Sequence, residues 1–304
     1  MELRHLRYFV AVAETGSLTV AAEKRLHTAQ PSLSRQMRDL EYEVGARLMQ
    51  RHARGIELTA AGRVFLDHAR IALLQVEAAA EAARRAAQPP RASFAIGFLT
   101  GFEMEWMGPA VGLLQESLSS TELTITSQQS PSLAAELMRG RLDVAFLRPE
   151  KNTPGVVYLT LLHEPLIVLM PADHPLAARD AIPPEALAGQ TLVGVPNSNS
   201  PALRAVVDAY GARVGVDLTP DHEALNLAMA ISLVASTGGV SVLPLYARNL
   251  LPPTVIGRPL AGVPPTIDLA LGYNEANTSP LLKTLLSKVD ELKFRVGRTR
   301  PSGR

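Results

Sequence analysis

The sequence predicts a multidomain α+β protein with a small helical domain and hairpin at residues 1–58, a long helix at 59–88, and a two-lobed α/β domain at 89–304. Three features of the chain predict this organisation. Apolar residues recur at helical spacing in the first part, an alanine-rich stretch without proline follows, and strand-like and helix-like segments then alternate to the end. A chain of 304 residues is also long enough for more than one domain.

The first two helices are marked by residues that suit helix ends. Leu3, Leu6 and Val10 recur at helical spacing and predict the first helix. Gly16 suits the position just past a helix end, and Ser17 suits the N-cap of the helix that follows. Two short helices are therefore expected, one on either side of Gly16.

A third helix is predicted after a tight turn near His27. Thr28 is its predicted N-cap, and Leu33, Met37 and Leu40 recur along it at the spacing of one buried face. At about 100° per residue, the opposite face carries three side chains, Pro31, Arg35 and Arg38. Two short amphipathic helices joined by a tight turn are typical of a helix-turn-helix.

A small β-hairpin and a long helix complete this part of the chain. Ile56 and Leu58 alternate with a glutamate after the predicted turn residue Gly55, which predicts a hairpin at 48–58. The alanine-rich stretch that begins at Thr59 predicts a helix of roughly thirty residues, about 40 Å long. A helix of that length needs a packing partner, most simply the same helix of a second copy.

The alternation of strands and helices after residue 90 predicts two α/β lobes with a cleft between them. Lobe I is expected over about 91–162 and 267–295, and lobe II over about 163–266. The predicted strands are 94–98, 123–127, 144–148, 166–170, 191–195, 240–244, 255–259 and 267–273. The predicted helices are 107–117, 133–139, 201–213, 223–236 and 280–292. This order of elements favours parallel sheets.

Composition and motifs argue against several classes of protein. The chain has no cysteine, which excludes disulfides and thiolate sites, and its seven histidines lack ligand spacing, so neither a metal site nor a cofactor is expected. The charged N-terminal residues and the lack of a long apolar run predict a soluble, cytoplasmic protein without a membrane partner. The sequence has neither the nucleophile motif G-x-S-x-G nor a phosphate loop, so no enzymatic activity is expected.

Residues 24–54 carry the positive charge that a nucleic-acid partner requires. The whole chain has a net charge of +1, whereas this window holds seven basic residues against three acidic ones, a local charge of about +4. If the third helix enters a major groove, Gln30 suits adenine and Arg35 suits guanine. The side chains that suit phosphate contacts are Thr28, Ser32, Ser34 and Arg38. Arg51 and Arg54 on the hairpin suit the minor groove or phosphates. Spacing alone leaves a three-helix core with a solvated charged face as the alternative.

Residues 1–88 resemble the N-terminal region of the LysR-type transcriptional regulators. The runs that carry the resemblance are AAEKRLHTAQPSLSRQ, LEYEVGARL and LTAAG. The resemblance implies a winged helix-turn-helix in which Gln30, Pro31 and Arg35 lie at base edges. It also implies that the hairpin is the wing and that the helix from Thr59 is a dimerisation linker. Double-stranded promoter DNA and further copies of the chain are then the implied partners, with RNA polymerase as another candidate.

Polar side chains follow several predicted strands of the two lobes, and ligands bind at the carboxyl ends of strands in open α/β sheets. The candidate ligand-binding residues are Thr100, Gly101, Ser130, Ser132, Arg148, Asn197, Ser200 and Asn226. Two helix N-termini near a guanidinium favour an anion, most simply a carboxylate. Alternatively, Ser130 and Ser200 are only helix caps, and Arg148 forms a surface or inter-lobe ion pair.

The second part of the chain resembles the effector domain of the same family, which is similar to periplasmic binding proteins. The runs that carry this resemblance are GRLDVAF, EPLIVLMPADHPL and GGVSVLP. Within the family, the chain is most similar to regulators of phenylpropionate and cinnamate catabolism, which implies an aromatic carboxylate as effector. The resemblance implies a tetrameric regulator whose DNA binding or bending the effector switches. The alternatives are an exported solute-binding protein and an α/β enzyme fused to a DNA-binding module.

Overall fold

The computed structural model describes residues 1–52, 55–87, 93–115, 118 and 121–299 of the chain. Two compact units make up the chain, divided between Ala87 and Gln88, with the short segment Asn152–Pro154 grouped with the first. No helix in the described ranges combines the length and the apolar character that crossing a lipid bilayer requires.

The first unit begins with helices whose ends match their sequence signals. Helix α1 spans Leu3–Thr15 and ends at Gly16, whose left-handed backbone (φ 63°) lets its N–H bond to the Val12 carbonyl. The Ser17 hydroxyl accepts a hydrogen bond from the Val20 N–H, as its predicted N-cap position requires. Both predicted helix ends are confirmed.

The connection to the third helix differs from the prediction. Helix α2 (Leu18–Val20) continues as a π-helical turn at Ala21–Leu26, and His27 then adopts a left-handed backbone with φ 48°. The Thr28 N–H donates back to the π-helical turn, so the next helix takes Ala29 as its N-cap. The prediction that Thr28 caps the third helix is therefore wrong, because the wider turn uses Thr28 to close itself.

Helix α3 (Gln30–Val44) buries the face that its spacing predicts. Leu33, Met37 and Leu40 are fully buried in the core of the first unit. The helix ends at Gly45, which has φ 72° and donates its N–H to the last turn. The polar face of α3 is consequently fixed on the outside of the unit.

The predicted hairpin follows α3. Strands β1 (Met49–His52) and β2 (Gly55–Leu58) pair antiparallel, and the two residues at the turn lie outside the described ranges. One carboxylate oxygen of Glu41 in α3 accepts from the N–H groups of Leu48 (2.8 Å) and Met49 (3.0 Å). This acceptor ties the start of the hairpin to α3.

Helix α4 (Ala60–Ala87) has 28 residues and is about 42 Å long. Its first turn packs closely on the hairpin, because a Cβ on Gly62 would lie 1.9 Å from the Leu48 carbonyl oxygen. Glycine is therefore required at this position. The ring of Phe65 meets that of Phe9 edge-on, with 5.1 Å between centroids.

The second unit alternates strands and helices. Its strands in the described ranges are β3 (Ser93–Leu99), β4 (Glu122–Gln128), β5 (Val144–Leu147), β6 (Val156–Pro171), β7 (Val193–Gly194), β8 (His222–Glu223), β9 (Ser241–Pro244), β10 (Val255–Pro259) and β11 (Thr266–Asn274). Its helices there are α5 (Glu103–Leu114), α6 (Ser130–Met138), α7 (Pro201–Val214), α8 (Leu227–Thr237), α9 (Pro280–Ser287) and α10 (Val289–Thr299). Short 3-10 turns lie at Pro175–Ala178, Pro184–Leu187 and Leu245–Leu250.

The main sheet of the second unit is mixed rather than parallel. Its order is β10-β6-β11-β5-β3-β4, with β9 also paired to β6. Strand β3 pairs parallel with β4 and β5, whereas β11 pairs antiparallel with both β5 and β6. The prediction of parallel sheets thus holds for β3, β4 and β5 and for the separate β7–β8 pair, and it is wrong for the rest.

Strand β6 is much longer than predicted. It has 16 residues, Val156–Pro171, against the predicted 166–170. The predicted piece is a continuous buried run, but in the first half of the strand partly buried side chains mostly alternate with exposed ones. The half-exposed first part of β6 contains no continuous apolar run, so the sequence predicted only the buried second part.

Two hydrophobic cores divide the second unit into two lobes. The core of lobe I draws on residues 94–161 and 269–296, and the core of lobe II on residues 166–267. Strands β6 and β11 run side by side from one core to the other, with a register irregularity between Leu269 and Ala270. The chain passes between the lobes along these two strands, which are hydrogen-bonded to each other.

Candidate nucleic-acid interface and cleft pocket

The outer face of α3 is polar and open to solvent. Pro31, Ser32, Arg35 and Arg38 are exposed, and Gln30 is partly buried as the first residue of the helix. The Arg35 side chain is 81% exposed and lies 4.0 Å from the Asp39 carboxylate, at the limit of an ion pair. Exposed cations of this kind are available to phosphates or base edges.

Two predicted DNA contacts, Ser34 and Thr28, do not share that exposed face. Ser34 is buried, and its hydroxyl accepts from the Arg51 guanidinium at 3.1 Å. The hairpin thus covers Ser34 and gives its hydroxyl a partner within the protein, so its contact with phosphate stays a prediction. Thr28 is partly buried in the turn that it closes, and Arg54 lies outside the described residues.

The hairpin itself presents cations beside α3. Arg51 is exposed although it donates to Ser34, so its guanidinium is held next to the N-terminal half of the helix. His52 lies 3.8 Å from the Glu57 carboxylate on the facing strand. A helix and a hairpin with neighbouring exposed arginines can both reach the backbone of one duplex.

The second unit contains a pocket between its lobes, here called the cleft pocket. It lies where β3, β5 and β9 end and where α6, α7 and α8 begin. Its lining is Leu99, Thr100, Gln129, Arg148, Val195, Ser200, Leu203, Asn226, Leu227, Leu243, Pro244, Tyr246 and Ile267. The position agrees with the rule that ligands bind beyond the carboxyl ends of strands.

The cleft pocket brings together half of the predicted ligand-binding residues. Those that line it are Thr100, Arg148, Ser200 and Asn226. The other four, Gly101, Ser130, Ser132 and Asn197, do not line it, and their contact with a ligand stays a prediction. Ser132 and Asn197 are exposed elsewhere, because side chains next to a helix start or a turn alternate in direction. Gly101 packs instead on the Tyr246 ring, which a Cβ would approach to 2.9 Å.

Ser130 supports Arg148 rather than the pocket. It is 2% exposed, and its hydroxyl accepts from the Arg148 N–H at 3.0 Å. This hydrogen bond satisfies a buried backbone donor at the end of β5, where the strand ladder stops. Ser130 is not the N-cap of α6, which is Gln129, and it is not among the residues that line the cleft pocket.

Arg148 forms a buried ion pair. Its guanidinium donates to Glu164 Oε2 at 2.5 Å, and both side chains are 2% exposed. The guanidinium carbon lies 4.9 Å from the Phe102 ring centroid and 5.8 Å from that of Tyr246. The other oxygen of Glu164 accepts from the Tyr246 N–H at 2.7 Å. The positive charge that borders the pocket is thus already neutralised by the protein.

Tyr246 is a wall of the cleft pocket that the sequence did not reveal. It lies in the 3-10 turn after β9, and its ring packs on Phe102 of lobe I with 4.1 Å between centroids. Burial raises the pKa of Tyr246 to about 12, so its hydroxyl stays protonated at neutral pH. The residue follows a strand end, but nothing in its local sequence marks it as part of an inter-lobe contact.

Two helix N-termini face the cleft pocket from opposite lobes. Gln129 is the N-cap of α6 and Ser200 that of α7, and neither side chain makes a capping hydrogen bond. Both residues line the pocket. Asn226 is the N-cap of α8 and not inside a helix as predicted, and its Oδ1 accepts from the Met229 N–H at 2.9 Å. Uncapped helix N-termini carry partial positive charge and unpaired N–H groups.

The chemistry of these side chains suits binding of an anion. In the part of the chain that the structure describes, no three His, Cys, Asp or Glu side chains lie together as metal ligands would. The Ser200 hydroxyl has no hydrogen-bond partner among the described residues and lies at a helix start. Gln129, which was missed, could have been found because it directly precedes the Ser-Pro start of α6.

Comparison with protein families matches both units. The model described as "Bacterial regulatory helix-turn-helix protein, lysR family" matches residues 3–63, and "LysR substrate binding domain" matches residues 87–292. Among curated proteins, the Hca operon transcriptional activator HcaR of Escherichia coli K12 is 37% identical over 96% of this chain and 98% of its own length. The regulator AlsR of Bacillus subtilis 168 is 32% identical over 93% of each chain.

Solved structures share the fold over the full length. Full-length BenM aligns with a TM-score of 0.60 and 26% identity, covering 100% of both chains. Full-length CbnR, crystallised in a complex with its target DNA, aligns with a TM-score of 0.56 and 24% identity, covering 96% of this chain and 100% of that one. The second likeness carries information on the fold alone.

Proposed function

The chain belongs to the LysR family of DNA-binding transcription regulators, and from that premise we propose that a small carboxylate in the cleft pocket switches how it binds promoter DNA. The observation that carries the proposal is the pair of uncapped helix N-termini, at Gln129 and Ser200, on opposite walls of one pocket. An anion bound there contacts both lobes at once.

The ligand's carboxylate is expected at these helix ends rather than on Arg148. The Arg148 charge is balanced by Glu164, and separating the buried pair leaves an uncompensated charge in the protein interior. The N–H groups at the helix starts and the Ser200 hydroxyl need no such exchange. They supply hydrogen bonds and partial positive charge without breaking an existing contact.

An apolar body is expected behind the carboxylate. The side chains that form apolar walls of the pocket are Leu99, Val195, Leu203, Leu227, Leu243 and Ile267. Such walls suit an aromatic ring, which recovers free energy by leaving water. The resemblance of the sequence to regulators of phenylpropionate and cinnamate catabolism supports the same class of ligand.

The first unit is the proposed DNA-reading part. Gln30 and Arg35 are assigned to base edges, and Arg38 and Arg51 to phosphates, because α3 presents them on its open face or beside it. The matching helix-turn-helix model supports this assignment, as does the likeness to HcaR, an operon activator.

Self-association is proposed to bring two such units to one promoter. Helix α4 is too long to be covered by its own small unit, and Val64 and Val76 on it are 61% and 37% exposed. Pairing of α4 between two copies covers such side chains, and a tetramer forms if two dimers associate further. RNA polymerase is then the partner that reads the resulting promoter complex.

The switch is proposed to act through the angle between the lobes. A ligand that contacts both lobes stabilises one angle over the others, and β6 and β11 are the strands on which that angle changes. The expected consequence is a different bend of the bound DNA with binding retained.

A thermal-shift screen of small aromatic and aliphatic carboxylic acids tests the ligand class. A ligand that binds only the folded protein stabilises it by RT ln(1 + [L]/Kd), about 2.7 kcal/mol at a hundred times its Kd, and therefore raises the unfolding temperature. The Ser200→Ala variant should respond less to the same acid, and Ser132→Ala, which alters an exposed serine outside the pocket, should respond as the unmodified chain does. No shift with any acid, or equal shifts in all three proteins, would contradict the proposal.

A further inference from the structure

Tyr42 is a tyrosine on the DNA-reading helix with almost its whole side chain in water. It is 89% exposed, more than any other large hydrophobic side chain among the described residues. Its two neighbours in α3 are both acidic, Glu41 and Glu43. An exposed aromatic ring with a hydroxyl beside a basic surface can both pack on a partner and donate a hydrogen bond to it.

The two neighbouring carboxylates do not share the outer face with Tyr42. Glu41 turns toward the hairpin, where it accepts from the N–H groups of Leu48 and Met49. Glu43 lies about 100° around the helix from Tyr42 on the other side. It faces the amino group of Met1, with which it forms an ion pair. The acidic charges of this segment are therefore directed away from the side to which Tyr42 points.

Tyr42 instead continues the stripe of exposed side chains that begins with the predicted DNA contacts. Positions 31, 35, 38 and 42 fall within about 60° of one another on the helix. Arg35 and Arg38 are exposed on this stripe, and Arg38 has no ion-pair partner among the described residues. The face that reaches from Pro31 to Tyr42 thus carries two exposed arginines and the Tyr42 hydroxyl, and the carboxylate nearest to it is Asp39, 4.0 Å from Arg35.

The length of the stripe decides what Tyr42 can touch. Eleven residues of helix rise about 16 Å, whereas the major groove is about 12 Å wide. If the helix crosses the groove with Pro31 and Arg35 at the base edges, Tyr42 lies beyond the bases. The far end of the stripe comes to the sugar-phosphate backbone that borders the groove.

We propose that Tyr42 contacts the DNA backbone at the border of the groove, with its hydroxyl donating to a phosphate oxygen and its ring against the adjoining sugar. The assignment rests on the proposed role of α3 in reading the major groove. Tyr42 positions the helix and does not select bases, because every nucleotide offers the same phosphate and sugar. Its contribution is also insensitive to salt, because an uncharged hydroxyl releases no counterion.

Binding of the full chain to two duplexes tests this assignment. One duplex is selected from a random library by the unmodified protein, and the other is a scrambled sequence of the same length. Fluorescence anisotropy over a range of salt concentrations gives the affinity and its salt slope. Tyr42→Phe should weaken binding to both duplexes by roughly 3- to 10-fold, and Tyr42→Ala by at least as much. Neither variant should change the salt slope or the ratio between duplexes.

Two further variants serve as controls for the Tyr42 measurements. Arg38→Ala should reduce the salt slope by about one, as loss of a charged phosphate contact does. Tyr273→Phe in β11 removes a tyrosine hydroxyl from the other unit and should bind both duplexes as the unmodified chain does. Tyr42→Phe keeps the ring and the helix, so a loss with this variant does not come from misfolding.

The results that overturn the assignment differ from those that overturn the proposed function. If both Tyr42 variants bind normally while Arg35→Ala loses affinity, α3 reads DNA and Tyr42 does not contact it. If Tyr42→Ala binds DNA normally but reduces transcription, Tyr42 contacts a protein rather than DNA, and the assignment is also overturned. If the unmodified chain selects no duplex at all, the DNA-reading role of α3 fails and the Tyr42 contact fails with it.

Discussion

The outer face of α3 and the cleft pocket treat charge in opposite ways. On α3 the Arg35 side chain is 81% exposed, and its guanidinium lies 4.0 Å from the Asp39 carboxylate, which is also exposed. In the pocket the Arg148 and Glu164 side chains are 2% exposed and 2.5 Å apart. The cations on α3 are therefore exposed to solvent and accessible to a partner. The cation at the pocket is buried and forms an ion pair within the protein.

The difference fits the two ligands that we propose for these sites, duplex DNA and a small carboxylic acid. A duplex carries a dense line of phosphates, so exposed cations gain affinity there through counterion release. A small acid brings a single charge into a confined site. Separating the buried arginine from its carboxylate there requires more free energy than a new ion pair with the ligand would recover. Neutral donors and helix N-termini serve the small ligand better, and the paired arginine serves to hold elements of the two lobes together.

The largest expected effect comes from removing the buried partner. Glu164→Gln leaves the Arg148 guanidinium without its counter-charge and should lower the free energy of unfolding by about 3–5 kcal/mol. Asp39→Asn removes the exposed partner of Arg35 and should change it by less than about 0.5 kcal/mol. Urea unfolding of both variants measures the contrast. Similar small losses in both would mean that the two regions do not differ in the way described.

Arg35 should matter for DNA and not for folding. Arg35→Ala is expected to cost about 1–3 kcal/mol of binding to the selected duplex and to relax the base preference at one position, because a bidentate contact to guanine is lost. Its unfolding midpoint should stay unchanged, since the side chain is exposed. Anisotropy against single-base variants of the duplex checks this. An equal loss on every sequence would make Arg35 a phosphate contact instead.

Ser130 and Ser200 allow a similar comparison, in which each variant removes only one hydroxyl oxygen. Ser130→Ala leaves the buried Arg148 N–H unpaired and should destabilise the protein by about 1–3 kcal/mol. Ser200→Ala should change stability by less than about 0.5 kcal/mol, because its hydroxyl makes no capping bond, and should weaken ligand binding. Thermal unfolding with and without the acid separates the two. A reversal of the two results would exchange their roles.

The smallest effect concerns Glu150, just beyond β5. Burial raises the pKa of Glu150 from 4.5 to about 7. Between these values the folded protein holds a proton that the unfolded chain has lost, so stability falls as pH rises from about 4.5 to 7 and is level above. Glu150→Gln should be more stable than the unmodified chain at pH 8, on the order of 1 kcal/mol after solvent screening, and equally stable near pH 4. A constant difference across this range would exclude titration of Glu150 as the cause.

The first unit was predictable because its determinants lie close together in the chain. Gly16 and Ser17 end and begin adjacent helices, and Leu33, Met37 and Leu40 mark a buried face within two turns. These features depend on local backbone and spacing rules alone. The exposed arginines of α3 follow directly from the same spacing.

The features of the first unit that the sequence did not reveal come from contacts between segments. The π-helical turn before His27 occupied Thr28, and the hairpin covered Ser34 through Arg51, which is 17 residues away. Spacing along one helix cannot show which of its flanks another element will cover.

The cleft pocket was predictable in position and only partly in membership. The rule on strand ends located Thr100 and Arg148, because it depends on topology. It could not show that Arg148 pairs with Glu164, or that Tyr246, 82 residues further on, closes over both. Contacts between lobes depend on how two separately formed cores meet, which no local pattern encodes.

The central claim is that a carboxylate in the cleft pocket changes how this regulator shapes DNA. Fluorescence resonance energy transfer between dyes at the two ends of the selected duplex measures the bend with the full chain bound, with and without saturating 3-phenylpropionate or whichever acid gives the largest thermal shift. We expect the end-to-end distance to change while the duplex stays bound, and the change to be lost in Ser200→Ala. An identical distance with and without an acid that demonstrably occupies the pocket would contradict the account.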